Sequence, residues 1–100
     1  MLNFLRNLFG GTDLKPILER GAVIVDVRTP AEFAKGSVDG AKNIPLPDLS
    51  KNIDEIKKMK KPIIAICASG MRSGAAVKQL ELYRVEAYNG GSWKKVKEIV

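Results

Sequence analysis

The sequence predicts an α/β domain with a small, mainly parallel central β-sheet flanked by helices. Two short apolar runs, at 22–25 and 62–66, are rich in β-branched residues and are typical of strands buried on both faces. Amphipathic segments alternate with them, which is the pattern of an α/β domain. A chain of 100 residues has room for one hydrophobic core. We therefore expect a single domain over residues 1–100, with residues 1–11 as an N-terminal packing arm.

Helix signals precede and follow the first predicted strand. A first helix is predicted from Thr12 to Gly21, because glycine favours a helix stop. A second helix begins at the capping box formed by Thr29 and Glu32, with proline at the first helical position, and ends at Gly36. Both helices are expected to pack beside the first strand.

The middle of the chain predicts an extended segment and a third helix. Residues 43–46 are interpreted as extended. Asn52, with Glu55 three residues later, is typical of a helix N-terminus. The second buried strand then follows at 62–66.

The last third of the chain predicts helix, strand and helix. Residues 73–83 carry Ala76, Val77, Leu80 and Tyr83 at helical spacing, so this helix should pack onto the sheet. Residues 85–88 are predicted as a third strand. Gly90-Gly91 then introduces a last helix, whose inner face is predicted to carry Trp93, Val96 and Val100.

The chain has one cysteine and no histidine, and this excludes several kinds of site. An internal disulfide, a zinc finger and a histidine-based metal site cannot form, so we expect no metal and no cofactor. The Ser-His-Asp and Cys-His mechanisms are excluded too. Any nucleophile must therefore be activated by backbone dipoles or nearby cations.

The net charge of +6 favours anionic partners. The densest basic run, at 57–61, lacks interleaved aromatic residues and is interpreted as a solvated helix end and loop, so we expect no nucleic-acid ligand. No stretch approaches the roughly 18 to 20 apolar residues of a membrane span, and residues 1–11 lack the features of a signal peptide. We expect a soluble, cytoplasmic monomer.

Cys67 stands at the end of the second strand, and Asp26 stands at the end of the first. Ligands of open parallel sheets bind beyond the carboxyl ends of the strands, so both residues lie at the edge where a site is expected. The turn at 67–72 could direct successive backbone N–H groups inward and, with the helix N-terminus that follows, lower the pKa of the thiol. We expect a reactive, partly exposed thiolate. The alternative is a small buried apolar residue that ends a core strand.

The segment Cys67-Ala68-Ser69-Gly70-Met71-Arg72-Ser73 resembles the active-site loop of rhodanese-type sulfurtransferases, which have cysteine, a glycine-containing turn, arginine and then serine. The resemblance extends over 22–93 and includes further signatures in the family's order: Asp26-Val27-Arg28-Thr29-Pro30, Glu32-Phe33, Gly36, Gly40-Ala41, Asn43-Ile44-Pro45 and Gly90-Gly91-Ser92-Trp93. The chain departs from the family at Ser37, where a histidine is common.

The resemblance implies a two-step transfer. Cys67 would attack the outer sulfur of a donor such as thiosulfate, release sulfite and hold a persulfide, and a thiol or cyanide would then accept the sulfur. The substrate-binding positions would be Ala68, Ser69, Gly70, Met71, Arg72 and Ser73. Asp26 and Arg28 would orient the loops by hydrogen bonds and ion pairs, or would contact the bound anion directly. Arg72 would contact the anion or pair with Asp26 or Glu32.

Three other functions compete with this one. A persulfide relay carrier would share the Cys67 persulfide and exchange sulfur with a relay protein. A cysteine-dependent phosphatase or arsenate reductase would share the anion loop, but in the phosphatases of this fold the arginine stands one position further from the cysteine than Arg72 does here. A docking module without chemistry would usually lack the cysteine.

Overall fold

Residues 13–100 are described by the computed structural model, and a four-stranded β-sheet runs through their centre. The strands are β1 (Val23–Asp26), β2 (Lys42–Asn43), β3 (Ile63–Cys67) and β4 (Ala87–Ser92). They lie in the order β2-β1-β3-β4, and every neighbouring pair is parallel. The predicted fold class is confirmed. The predicted arm at 1–11 lies outside the described residues.

In the described part of the chain, five α-helices and one 3-10 helix surround this sheet. The α-helices are α1 (Lys15–Glu19), α2 (Pro30–Ala34), α3 (Ile53–Met59), α4 (Met71–Leu82) and α5 (Trp93–Ile99), and the 3-10 helix spans Leu46–Asn52. Within 13–100 no helix has the length and apolar character needed to cross a membrane.

Two apolar clusters cover the two faces of the sheet. Val25, Ala65 and Cys67 belong to the cluster that contains residues of α3 and α4. Ile24 and Ile64 belong to the other, with residues of α1 and α5. Successive strand residues point to opposite faces, so burial on both faces explains the continuous apolar runs of β1 and β3.

The predicted start of α2 is confirmed in detail. The Thr29 hydroxyl accepts a hydrogen bond from the Glu32 amide at 3.2 Å, and the Glu32 carboxylate accepts one from the Thr29 amide at 3.1 Å. The reciprocal bonds satisfy two N–H groups that the first helical turn leaves without partners. This capping box also fixes where the Glu32 carboxylate lies.

The prediction for the middle of the chain is partly wrong. Strand β2 comprises Lys42–Asn43 only, and the chain enters the 3-10 helix at Leu46 instead of staying extended. Asn52 does not cap α3, because its side-chain amide donates to the Asp48 carbonyl at 2.8 Å. Helix α3 continues directly from the 3-10 turns, so it needs no separate start.

Strand β4 differs most from its prediction. It begins at Ala87 instead of residue 85 and extends to Ser92, so that Gly90 and Gly91 belong to the strand, and the predicted last helix follows them at Trp93. The register with β3 shifts here, with Ala65 opposite Asn89 and Ile66 opposite Gly91. A Cβ on Gly90 would lie only 2.8 Å from Ile64 Cγ2, so the strand approaches its neighbour as only glycine allows.

Helix ends account for the remaining differences. Helix α4 begins at Met71, two residues before the predicted start, which places Arg72 and Ser73 in its first turn. Tyr83 and Val100 were predicted to face inward but are 45% and 59% exposed, because each follows the last helical residue. The lysines of the run at 57–61 are exposed, as predicted.

Candidate active site

The topology brings Asp26 and Cys67 to the same edge of the sheet. Strands β1 and β3 are parallel neighbours, and Asp26 lies opposite Ile66, the residue before Cys67. The carboxyl ends of both strands therefore meet where the sequence analysis placed the site.

The Cys67 sulfur lies inside the turn that joins β3 to α4. The amide N–H of Gly70 donates to Sγ at 3.0 Å, and the amide N–H of Ser73 donates at 3.4 Å. The Ser73 hydroxyl lies 3.3 Å from Sγ. The arrangement is the inward-directed set of backbone amides that the loop sequence predicted.

These contacts lower the pKa of the Cys67 thiol below its ordinary value. Burial of the sulfur raises the pKa, but the hydrogen bonds of Ser73 and the backbone amides of Gly70 and Ser69 outweigh that effect. Because amide donors stabilise a thiolate more than a neutral thiol, the turn favours ionisation without a histidine.

The predicted exposure of the thiol is wrong. Cys67 is 1% exposed instead of partly exposed. As the last residue of β3 it points to the sheet face covered by α4, and the turn closes over it. Within that turn Ala68, Ser69 and Met71 are exposed, while Cys67 is buried.

Gly70 gives the turn its shape. Its φ of 101° lies in the left-handed region, which glycine adopts without the penalty that a side chain would bring. This conformation directs the Gly70 N–H to Sγ while its carbonyl accepts bonds from the Gly74 amide and the Asn89 side chain, each at 3.0 Å. Backbone geometry therefore explains the glycine at this position.

Asn89 is a residue of this site that the sequence analysis missed. It is 1% exposed, and besides its bond to Gly70 it accepts hydrogen bonds from the Ser73 hydroxyl at 2.6 Å and the Gly91 amide at 2.8 Å. The only signal in the sequence is that Asn89 precedes the two glycines of β4. This signal does not show that the residue lies beside Cys67, because that depends on the shifted register between β3 and β4.

Arg72 and Glu32 form an ion pair at the rim. Two guanidinium nitrogens donate to the two carboxylate oxygens at 2.7 and 3.0 Å, and both side chains are a little over one third exposed. Arg72 holds the pKa of Glu32 down to about 2. Of the two roles predicted for Arg72, pairing with an acidic residue is present in the structure.

Asp26 and Arg28 form a buried ion pair behind the site. The Asp26 carboxylate accepts from Arg28 Nη2 at 2.7 Å and from the Ser37 hydroxyl at 2.7 Å. Burial raises the pKa of Asp26, but the hydrogen bonds from Arg28 and Ser37 more than offset it and lower the pKa below its ordinary value. Ser37, where the family often has histidine, thus serves as a hydrogen-bond donor to the pair.

Arg28 also contacts two segments that lie far apart in the sequence. Its Nη2 donates to the Gly36 carbonyl at 2.6 Å, and its guanidinium carbon lies 4.9 Å from the centre of the Trp93 ring. Trp93, predicted as a core residue, is half-buried and packs against the apolar cluster of α1 and α5. Asp26 and Arg28 therefore connect the end of β1 with the segment at Gly36 and the start of α5.

The sequence matches a known protein family. The model of the rhodanese-like domain family matches residues 11–98. The chain belongs to the rhodanese-like domain family. An uncharacterized protein of Bacillus subtilis, YqhL, is 41% identical over 78 residues, which are 76% of this chain and 61% of that protein. The chain thus spans less than two thirds of this relative's length.

Solved structures of rhodanese-like proteins share the fold. A rhodanese-like domain protein from Staphylococcus aureus is 33% identical, with a TM-score of 0.68 over 76% of this chain and 74% of that one. A rhodanese from E. coli, solved with anions, is 29% identical, with a TM-score of 0.68 over 73% of this chain and 88% of that one.

Proposed function

We propose that this rhodanese-like domain is a sulfurtransferase that carries sulfane sulfur as a persulfide on Cys67. The observation that carries the proposal is the sulfur itself, which lies at the carboxyl end of β3 with the amides of Gly70 and Ser73 directed at it. Within residues 13–100 no three His, Cys, Asp or Glu side chains are grouped to hold a metal ion.

The first step transfers sulfur from a small anionic donor. With thiosulfate, the Cys67 thiolate attacks the outer sulfur, a Cys67 S–S bond forms and the donor's S–S bond breaks. The electron pair of the broken bond leaves with sulfite, and Cys67 retains a persulfide with its negative charge on the outer sulfur. Backbone N–H groups around the sulfur stabilise the anions on both sides of this step.

The second step returns the enzyme to its starting state. A thiolate or cyanide attacks the outer sulfur, takes it as a new persulfide or thiocyanate, and leaves the electron pair on Cys67 as thiolate. The low pKa of Cys67 makes it a good leaving group here, because a thiol of lower pKa leaves faster in exchange reactions. The same turn therefore serves both steps.

Arg72 supports the binding of an anionic donor at the rim. Its side chain is 37% exposed and lies in the first turn of α4, at the positive end of the helix dipole. Its ion pair with Glu32 keeps the planar guanidinium in one place. The net charge of +6 also attracts anions, and the related E. coli rhodanese was solved with anions.

A persulfide relay between proteins is the second candidate, and Met71 favours it. This apolar side chain is 81% exposed and lies directly in the turn around Cys67. Exposed apolar residues at a site are typical of protein contacts. A relay would use the same Cys67 persulfide, with protein persulfides and thiols in place of the small donor and acceptor.

The proposal is tested by incubating the protein with thiosulfate and cyanide and measuring the rate at which thiocyanate forms. We expect turnover in the wild type and none in Cys67→Ser. Ser50→Ala, at an exposed serine of the 3-10 helix, is the matched control and should keep full activity. Turnover in Cys67→Ser equal to that of the wild type would refute the mechanism.

A wild type without turnover would be tested with glutathione persulfide as donor and a thiol as acceptor. Transfer from this donor would assign the protein to the relay class. No transfer from either donor would refute the proposed function.

A further inference from the structure

The orientation of the Asn89 amide is fixed by its partners. The Gly91 N–H can only donate and the Gly70 carbonyl can only accept, so Oδ1 faces Gly91 and Nδ2 faces Gly70. Oδ1 is therefore the oxygen that lies 2.6 Å from the Ser73 hydroxyl.

This orientation decides where the Ser73 hydroxyl proton lies. A hydroxyl has one proton, and the Asn89 oxygen, an acceptor at 2.6 Å, is closer than the Cys67 sulfur at 3.3 Å. The proton is therefore donated to Asn89. With its proton directed at Asn89, the Ser73 hydroxyl is a weaker donor to the sulfur than the backbone amides of Gly70 and Ser73.

The Gly70 N–H is the closest donor to the sulfur, and Asn89 also holds Gly70. The Nδ2 group of Asn89 donates to the Gly70 carbonyl, and Gly70 keeps a left-handed conformation that aims its N–H at Sγ, 3.0 Å away. The second amide donor, Ser73 N–H, is held by the first turn of α4.

We propose that Asn89 is a positioning residue for the Cys67 nucleophile. Its NH₂ group holds Gly70, whose N–H faces the sulfur, and its oxygen accepts the hydrogen bond of the Ser73 hydroxyl. Backbone amides therefore stabilise the thiolate. The inference rests on the proposed function, which makes Cys67 the nucleophile. Asn89 acts on the sulfur through Gly70 and Ser73.

The charged side chains at this end of the sheet stay unchanged in the test. They come from every element around the turn: Asp26 and Arg28 from β1 and the segment after it, Glu32 from α2, Arg72 from α4 and Lys94 from α5. Two ion pairs join four of them. A change in the ionisation of Cys67 after a neutral substitution of Asn89 therefore reflects the hydrogen bonds of the turn.

The test is the pH profile of Cys67 alkylation by iodoacetamide in the full chain. The Asn89 variants are compared in a Ser73→Ala background, where no released hydroxyl can donate to the sulfur. For Asn89→Leu in this background we expect the midpoint to rise by about one pH unit, so that alkylation below the midpoint slows about tenfold while the rate at high pH stays the same. Asn89→Ala, which only truncates the side chain, should shift the midpoint in the same direction. An unchanged or lowered midpoint in a folded Asn89 variant would overturn the proposal.

Ser73→Ala is an independent arm that does not depend on whether the Asn89 variants fold. Since the hydroxyl proton belongs to Asn89, this variant should move the midpoint by less than about half a unit. A rise of a full unit would show that the hydroxyl stabilises the thiolate and would overturn the proposal. Asn52→Ala, which removes an amide-to-carbonyl bond away from the turn, is the matched control and should leave the profile unchanged.

The outcome separates this inference from the proposed function. Alkylation needs no sulfur donor, so the Asn89 shift can appear in a protein that fails to accept sulfur from any donor. Sulfur transfer in the wild type with no shift in folded Asn89 variants would overturn the inference alone. A purely structural role for Asn89 would lower the urea midpoint of unfolding without moving the alkylation midpoint, and would overturn it as well.

Discussion

Replacement of Asp26 by asparagine tests whether the buried ion pair braces the site. Asp26 is fully buried and Arg28 is 4% exposed, so solvent screening weakens their interaction little. The asparagine keeps one acceptor oxygen, but its NH₂ group would face donors in either orientation. At the Oδ2 position these are Arg28 Nη2 and the Ser37 hydroxyl, each at 2.7 Å, and at the Oδ1 position they are the Arg28 amide and Nε, each at 3.0 Å. The guanidinium would remain buried beside a neutral group.

The expected loss is about 3 kcal/mol in the free energy of unfolding, the range for a buried pair that loses one charge. Ser37→Ala removes a single hydrogen bond to the same carboxylate and should cost only about 1 kcal/mol. Urea unfolding at pH 7, followed by circular dichroism, measures both. A cost for Asp26→Asn no greater than that for Ser37→Ala would refute the bracing role.

The acid side of the stability profile gives a second readout of the same pair. The pKa of Asp26 in the fold lies below its ordinary value of 3.8, so its stabilising contribution is complete above 3.8 and is lost as the pH falls through the folded pKa. The wild type should therefore lose more stability than Asp26→Asn over this acidic window. Parallel acid profiles would contradict the assignment.

Three further changes have defined outcomes. Arg72→Ala should lower kcat/KM for thiosulfate at least tenfold, the order expected for an anion-stabilising donor. It should lower the urea midpoint little, because the pair with Glu32 is partly exposed. A loss of kcat/KM no greater than the loss of folded protein would contradict a role in anion binding. Gly90→Ala should cost about 1 to 3 kcal/mol in urea unfolding, because its methyl group would lie 2.8 Å from Ile64 Cγ2, and an unchanged midpoint would refute the close approach. Because the folded pKa of Cys67 lies below the ordinary 9.0, stability should rise as the pH increases through the folded pKa and level off above 9.0; urea unfolding of Cys67→Ser should lack this rise, and an equal rise would contradict it.

The sequence predicted those parts of the fold that depend on local patterns. The runs of β1 and β3 predicted buried parallel strands because both faces of the sheet are covered. The capping box predicted the start of α2 because its two hydrogen bonds lie within four residues. The place of Cys67 at the edge of the sheet followed from the strand that it ends.

The parts that were missed depend on contacts between distant residues. Strand β4 is shifted because Gly90 packs against Ile64 and Ile66 on a neighbouring strand, and a local turn signal cannot show this. Asn52 has the composition of a helix cap but bonds to Asp48, since the 3-10 turns already supply the helix start. Asn89 reaches the Cys67 turn only because β4 pairs with β3 in this register.

The exposure of Cys67 was also beyond local reasoning. A reactive thiol is expected near solvent, but the side chain faces the α4 side of the sheet and the turn folds back over it. The hydrogen bonds that lower its pKa are made by this same turn, so burial and activation have a common origin.

The measurement that tests the central claim most directly is the intact mass of the protein after incubation with thiosulfate, with and without later dithiothreitol. We predict a gain of one sulfur atom, about 32 Da, in the wild type, its removal by dithiothreitol, and no gain in Cys67→Ser, because the outer sulfur of a persulfide is released by thiol exchange. A gain of the same size in Cys67→Ser, or one in the wild type that dithiothreitol leaves in place, would contradict a persulfide on Cys67.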